Sequence, residues 1–242
     1  GLAKAGADVL ISSRKGADCE RVAAELNAFG AGKAKGFAGD VSSEAGIAAL
    51  VEAVKSRTDE LHILVNNAGA AWGEPLKTFP YKAWSKVLDV NVTAVFHLTR
   101  ELLPLLKKAA TPDNPACVIN LGSVMGTQPI GQGNYSYTAS KAAVHHLTRT
   151  LALELAPRHI TVNAFALMGL RQLYFLLQGL LGRLQFLNRG LAVILALADA
   201  GRHLDAAERA EGVVERAGAE AQSRSLALPG AHAVALSSDG AA

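Results

Sequence analysis

Short apolar runs alternate with helix-like stripes through the first 165 residues of the chain. The runs lie at residues 8–12, 61–65, 117–123 and 160–164, and residues 35–41 are a further short strand candidate. Between them, apolar residues recur at helical spacing, as in the stripe Ile47, Leu50, Val51 and Val54. Strands that are apolar throughout and alternate with helices are typical of a parallel sheet covered on both faces. The sequence therefore predicts a doubly wound, Rossmann-like α/β fold.

The two ends of the chain depart from this pattern. The opening residues read as the end of a helix capped by Gly6, so the first strand of such a fold and the glycine turn after it are expected to be missing. After residue 165, glycines interrupt a leucine stripe, and Ala, Arg and Glu then dominate without a recognisable strand. We expect a truncated α/β domain at residues 1–165 and a divergent, helical and partly disordered tail at residues 166–242.

Composition excludes several classes of protein. The formal net charge is only +3, and no basic block contains interleaved aromatic residues, which argues against nucleic acid as a partner. Cys19 and Cys117 are too few and too far apart for a disulfide framework or a zinc site, so no metal is expected. No uncharged apolar run reaches the roughly 18 residues that suggest a membrane span. We therefore expect a protein of the cytoplasm, where cysteines stay reduced.

Polar residues at the carboxyl ends of the predicted strands are candidates for a functional site, since open α/β sheets bind ligands there. Ser123 ends one strand, and Tyr137 and Lys141 stand one turn apart on the helix that follows. A free phenol has a pKa of about 10, and a neighbouring ammonium favours the phenolate, which brings proton exchange closer to neutral pH. A serine hydroxyl can hold a carbonyl or alcohol oxygen beside the phenol. An exposed helix pair without a function is the alternative interpretation of Tyr137 and Lys141.

With these residues the chain resembles the short-chain dehydrogenase/reductase family, in particular the rhamnolipid type of its 3-oxoacyl reductase branch. The residues that carry the resemblance are Asp40, Val41, Asn66, Asn67, Ala68, Gly69, Asn91, Ser123, Tyr137 and Lys141. The resemblance implies an oxidoreductase that interconverts a ketone, expected to be of the 3-oxoacyl type, and a secondary alcohol by hydride transfer. It also implies a small carbonyl or alcohol substrate, acyl thioesters included, and a homodimer or homotetramer.

The resemblance implies a role for each matched residue. Tyr137 would be the general acid/base, and Lys141 would favour its phenolate and hold the nicotinamide ribose. Ser123 would position the substrate oxygen, and Asn91 would support a water-linked proton relay to Lys141. The residues that would bind the cofactor, besides Tyr137 and Lys141, are Arg14, Asp40, Val41, Asn67, Ala68 and Gly69.

Arg14 bears on the choice of dinucleotide. An acid at the end of the second strand binds the ribose hydroxyls of NAD, whereas an arginine accommodates the 2′-phosphate of NADP. The run from Ser12 to Lys15 holds Arg14 and no acid, so NADP(H) is the expected cofactor. The first strand is central in the strand order 3-2-1-4-5-6. Without this strand the glycine turn is lost, and the neighbouring strands are expected either to join directly or to leave a gap. This chain is therefore expected to bind NADP(H) poorly or not at all.

Several candidates have a second interpretation that the sequence leaves open. Asn91 suits a solvated or bent position in a helix, Asp40 a helix-capping turn, and residues 66–69 an ordinary turn. His145 and His146 are interpreted as packing and surface residues. The alternative function is that of a catalytically inactive protein that keeps the fold and acts only through protein–protein interaction.

Overall fold

A parallel sheet of six strands forms the centre of the computed structural model, which describes residues 1–28, 32–130, 132–166 and 232–236. Its strands are β1 (Asp8–Ser13), β2 (Ala34–Ala38), β3 (Ile63–Asn66), β4 (Ala116–Leu121), β5 (Ile160–Phe165) and β6 (His232–Leu236). Neighbouring strands all run parallel, in the order β2-β1-β6-β3-β4-β5. The predicted doubly wound α/β fold is confirmed, and β1 to β5 arise from the predicted apolar runs.

The position of β6 corrects the expectation for the end of the chain. This strand lies between β1 and β3, where its Leu236 is in register with Ser12 on one side and Asn66 on the other. The sequence predicts no strand here, because an alanine-rich run has weak strand propensity. Hydrogen-bond ladders to two neighbouring strands outweigh that preference, and β6 takes the central place of the first strand in the order 3-2-1-4-5-6. The expectation of a gap or of directly joined neighbours is therefore wrong.

Helices cover both faces of this sheet. Within the described residues they are α1 (Gly16–Asn27), α2 (Glu44–Lys55), α3 (Lys82–Leu88), α4 (Ala94–Ala109) and α5 (Tyr135–Leu155). Successive side chains of a strand point to opposite faces. Val9 of β1 accordingly packs in a small core with Ala23 of α1, whereas the adjacent Leu10 belongs to the larger core, to which α2, α4 and α5 contribute. Among the described residues, no helix combines the length and the hydrophobicity that a membrane span requires.

One predicted helix is divided in the structure. The stripe at residues 84–107 predicts a single long helix, but a π-helical segment, Asp89–Thr93, separates α3 from α4. A π turn holds one more residue than an α turn, so the stripe shifts around the helix after it. The apolar pattern of this stretch includes Phe96 in the predicted buried stripe, but Phe96 is 39 % exposed. The buried face of α4 includes Val95, Leu102 and Leu106, as the stripe predicts, together with Leu98.

The remaining residues of the predicted tail, 167–231 and 237–242, lie outside the described residues. The helical and partly disordered character expected for them, and the domain boundary after residue 165, stay predictions.

Candidate active site

The predicted site residues follow the strand ends along one edge of the sheet. Because all the strands are parallel, their carboxyl ends meet at this edge, which is where open α/β sheets bind ligands. The residues that follow the strand ends are Arg14 after β1, Asp40 and Val41 after β2, Asn67, Ala68 and Gly69 after β3, and Ser123 after β4.

Tyr137 and Lys141 lie on successive turns of α5, which begins at Tyr135. The Lys141 Nζ lies 5.6 Å from the centre of the Tyr137 ring. It also donates a hydrogen bond of 2.5 Å to the carbonyl oxygen of Leu121, the last residue of β4. Tyr135 instead packs edge-on against Phe79, with 5.2 Å between the ring centres. The two tyrosines thus have different surroundings, and Tyr137 is the one beside the lysine.

Burial sets the protonation of Lys141. Lys141 is only 5 % exposed. This burial lowers the pKa of Lys141 from an ordinary 10.5 to about 8. A buried ammonium is destabilised because the surroundings solvate its charge poorly. A lysine that gives up its proton this close to neutral pH, at the ligand-binding edge of a sheet, is typical of a functional site.

Asn91 lies in the π-helical segment and is only 1 % exposed. Its Oδ1 accepts a hydrogen bond from the Ala70 N–H at 2.7 Å, and its Nδ2 donates to the Ala70 carbonyl at 2.9 Å and to Ser140 Oγ at 2.8 Å. Ser140 Oγ in turn donates to the Tyr137 carbonyl at 2.7 Å. The interpretation of Asn91 as a solvated residue is wrong: its amide ties the loop after β3 to the helix that carries Tyr137.

Gly69 lies where these groups converge. A methyl group at position 69 would be 3.5 Å from Asn91 Oδ1 and 3.9 Å from Lys141 Nζ. The loop after β3, the π-helical segment and α5 therefore come together around one point at the edge of the sheet. The predicted residues Gly69, Asn91, Tyr137 and Lys141 form one group in space although they lie far apart in the sequence.

Ser123 is buried, and two hydrogen bonds fix it. Its Oγ accepts from the Met125 N–H at 3.2 Å, and its own N–H donates to Nε2 of His145 at 3.2 Å. His145 therefore makes a hydrogen bond to Ser123 in addition to the packing expected of it, and His146 is exposed as expected. Spacing is a signal that could have identified His145, since Tyr137, Lys141 and His145 follow one another at intervals of four residues on a helix.

A ladder of buried amides and hydroxyls joins strands and helices beneath the site, and sequence reasoning missed most of it. Asn66 Nδ2 donates to Asn120 Oδ1 at 2.9 Å and to Thr99 Oγ1 of α4 at 3.3 Å. Asn120 Nδ2 donates to Thr148 Oγ1 of α5 at 2.9 Å. Asn66 is thus the last residue of β3 and not part of a simple turn. The ladder fixes the ends of β3 and β4 against α4 and α5.

Arg14 and Asp40 lie at the ends of two neighbouring strands. Hydrogen bonds from Ser42 hold the pKa of Asp40 below its ordinary value, and the nearby charge of Arg14 lowers the pKa further. The helix-capping interpretation of Asp40 is wrong for α2, because the N-cap is Ser43, whose Oγ accepts from the Gly46 N–H at 3.1 Å. Asp40 instead stabilises the turn between β2 and α2, where its Oδ1 accepts from the Ser42 N–H.

The chemistry of this edge fits a phosphorylated dinucleotide. Arg14 offers an exposed cation, Lys141 an ammonium, and Tyr137 and Ser123 hydroxyls. Such donors suit phosphates, ribose hydroxyls and a reacting oxygen. Among the described residues, no group of three or more His, Cys, Asp or Glu is placed to hold a metal ion.

Comparison with known proteins identifies the family. The family model for short chain dehydrogenases matches residues 1–171. The rhamnolipids biosynthesis 3-oxoacyl-[acyl-carrier-protein] reductase of Pseudomonas aeruginosa is 46 % identical over 166 residues, which are 69 % of this chain and 64 % of that protein. The chain thus belongs to the short-chain dehydrogenase family, as the resemblance predicts, and it spans less than two thirds of the length of this curated relative.

Solved structures of similar proteins contain either dinucleotide. The RhlG/NADP active-site complex of Pseudomonas aeruginosa has a TM-score of 0.65 and 46 % identity, over 68 % of this chain and 64 % of that one. The NADH-dependent reductase A1-R′ complexed with NAD has a TM-score of 0.64 and 30 % identity, over 68 % of this chain and 69 % of that one. The fold alone therefore does not select the cofactor.

Proposed function

We propose that this protein is an NADP(H)-dependent oxidoreductase that interconverts a ketone of the 3-oxoacyl type and a secondary alcohol. The observation that carries the proposal is the pair Tyr137 and Lys141, with the lysine Nζ 5.6 Å from the ring centre, at the edge where Ser123 follows β4. A phenol beside an ammonium is an acid–base pair suited to protonating an oxygen.

The protein's own residues manage the proton and the oxygen. When bound, the reduced nicotinamide supplies the hydride. In ketone reduction, the Tyr137 phenol donates a proton to the carbonyl oxygen, and the Ser123 hydroxyl donates a hydrogen bond that holds this oxygen in place. The charge of Lys141 stabilises the phenolate that remains. We assign to Asn91 the support of a water-linked relay that returns a proton to the site through Lys141.

Cofactor selection is assigned to the residues after β1, β2 and β3. Arg14 is exposed at the end of β1, where its positive charge favours the 2′-phosphate of NADP. Asp40 and Val41 are assigned to the adenine. Asn67, Ala68 and Gly69 are assigned to the wall of the cleft near Lys141. The NADP complex of RhlG supports this choice at 46 % identity.

Substrate class and assembly rest on similarity and on exposed surface. The 3-oxoacyl assignment follows the name of the Pseudomonas aeruginosa reductase, and acyl thioesters are its natural test compounds.

Leu153 on α5 is 81 % exposed and Phe96 on α4 is 39 % exposed, which supports a homodimer or homotetramer formed through these helices. We place the protein in the cytoplasm, where the free thiols of Cys19 and Cys117 stay reduced.

The test compares two tyrosine variants in an assay of NADPH oxidation with a 3-oxoacyl thioester. Tyr137→Phe is expected to abolish ketone reduction while NADPH binding persists, because only the donated proton is lost. Tyr135→Phe is the matched control, because it removes a phenolic hydroxyl two residues away from Tyr137. The Tyr135→Phe variant is expected to keep most of the activity. Equal losses in the two variants would refute the role of Tyr137. An inactive wild-type protein would favour the alternative of a binding protein.

A further inference from the structure

The imidazole of His145 is fitted closely against the backbone that leads into Ser123. Its Nε2 lies 3.2 Å from the Ser123 nitrogen. A methyl group at position 122 would be only 2.1 Å from Nε2 and 2.9 Å from the Phe165 carbonyl oxygen, so Gly122 is what allows the ring to come this close. His145, one turn beyond Lys141 on α5, is therefore packed against Gly122, the residue that follows β4.

This contact defines the protonation state of the imidazole. A backbone N–H can only donate, so Nε2 must be the acceptor and must carry no proton. His145 is then neutral, with its proton on Nδ1. A doubly protonated ring has two donors and no acceptor, and it could not keep this hydrogen bond.

Ser123 is held from two directions by these contacts. The Met125 N–H donates to its Oγ at 3.2 Å, and His145 accepts from its backbone N–H. Within the described part of the chain, the Ser123 hydroxyl donates its own proton to no residue. That proton is left for a substrate oxygen, and the orientation of the hydroxyl depends on both contacts.

We propose that neutral His145 is a positioning residue that orients Ser123 for the substrate oxygen, and that protonation of its imidazole releases Ser123 and lowers activity. The proposal rests on the proposed function. It adds a residue that acts through Ser123 and does not itself touch the reacting atoms.

The surroundings of His145 keep it neutral at ordinary pH. Burial lowers the pKa of His145, and the positive charges of Arg149 and Lys141 on the same helix lower it further. Gly122 and Ser123, which adjoin the ring, and Phe165, whose carbonyl oxygen lies near Gly122, have no titratable side chain. Activity is therefore expected to fall with decreasing pH only below pH 6.5, the ordinary pKa of histidine, and we call this fall the acid limb of the pH profile.

The first experiment measures kcat/KM for ketone reduction as a function of pH in the full chain. His145→Gln keeps an acceptor oxygen but cannot be protonated, so it is expected to retain activity at neutral pH and to lose the acid limb. His145→Leu removes the acceptor and is expected to lower kcat about tenfold at neutral pH, the effect of one net hydrogen bond, with little change in KM. His146→Gln, an exposed control on the same helix, is expected to leave the profile unchanged.

The second experiment needs neither cofactor nor activity. Histidine labelled with ¹⁵N reports directly whether Nε2 or Nδ1 carries the proton, and the His145→Gln variant assigns the signal. We expect a neutral ring with unprotonated Nε2 at neutral pH. An active wild type whose His145 Nε2 is protonated at neutral pH would overturn the inference alone. A His145→Leu variant with the same dependence of kcat/KM on pH as the wild type would also overturn the inference. A His145→Gln variant that loses as much activity as His145→Leu would do the same. An inactive wild type would overturn the proposed function instead.

Discussion

Replacing Lys141 with methionine should stabilise the protein while abolishing its activity. Methionine is an unbranched side chain of similar length, so Lys141→Met removes the buried charge with little change in packing. The gain in stability follows from the burial of an ammonium that is only 5 % exposed. The loss of activity follows from the charge that the proposed mechanism places beside Tyr137.

The magnitude follows from the pKa. A lysine pKa lowered from 10.5 to about 8 corresponds to a penalty of about 3 kcal/mol on the folded state at neutral pH, since each tenfold change in the ionisation constant is worth about 1.4 kcal/mol. The lost hydrogen bond to the Leu121 carbonyl offsets about 1 kcal/mol of this. Lys141→Met should therefore raise the free energy of unfolding by about 2 kcal/mol at neutral pH.

The sign of the pH dependence follows from linkage. Below pH 8 the lysine is protonated in the folded and unfolded states alike, and the full penalty applies. Between about pH 8 and 10.5 the folded state has lost this proton while the unfolded state keeps it, so the wild-type protein gains stability as pH rises. The advantage of the variant should shrink across this window and disappear above it.

Urea unfolding of both proteins at neutral pH and at a pH within this window measures the difference. Lys107→Met is the matched control, because Lys107 is exposed near the end of α4, and it should change the free energy of unfolding by less than about 0.5 kcal/mol. A Lys141→Met variant that is less stable than wild type at neutral pH, or an advantage that does not change with pH, would refute the reasoning.

Two further substitutions test other parts of the site. Arg14→Asp should weaken NADPH binding and shift the preference toward NADH, because it places a negative charge near the 2′-phosphate; isothermal titration with both dinucleotides measures this, and an unchanged ratio would show that Arg14 does not face the cofactor. Asn91→Leu removes three hydrogen bonds and leaves polar groups of Ala70 and Ser140 buried without their partner, so it should cost about 2–4 kcal/mol of stability, measured by urea unfolding. A loss below about 0.5 kcal/mol would show that the loop after β3 does not depend on Asn91.

The sequence could predict the fold where local pattern and packing agree. β3 and β4 are apolar apart from the asparagines of the ladder, and Leu64 and Val118 are fully buried as that pattern requires. It could not predict β6, because alanines in a short run carry no strand signal, and the pairing partners of that run lie more than 160 residues away in the chain. The π-helical segment could not be predicted either, because one additional residue in a helical turn does not change the composition of the helix.

For the site, residue spacing predicted which groups meet but not how they are held. The interval of four residues placed Lys141 beside Tyr137, and Ser123 follows a strand end as expected. The burial of Asn91, the hydrogen bond from Ser123 to His145 and the Asn66–Asn120–Thr148 ladder depend on contacts between distant segments. The sequence does not distinguish a buried polar residue from a solvated one. The role of such a residue can be assigned only when the structure shows its hydrogen-bond partners.

NADPH binding by the 242-residue chain tests the central claim most directly. β6 occupies the middle of the sheet, which removes the expected gap, one of the two reasons for expecting weak binding. A titration followed by NADPH fluorescence should saturate in the wild-type protein and in Tyr137→Phe alike, with weaker binding of NADH. A titration that shows no saturable binding of NADPH would contradict the proposed oxidoreductase and leave a protein that keeps the family's fold without its chemistry.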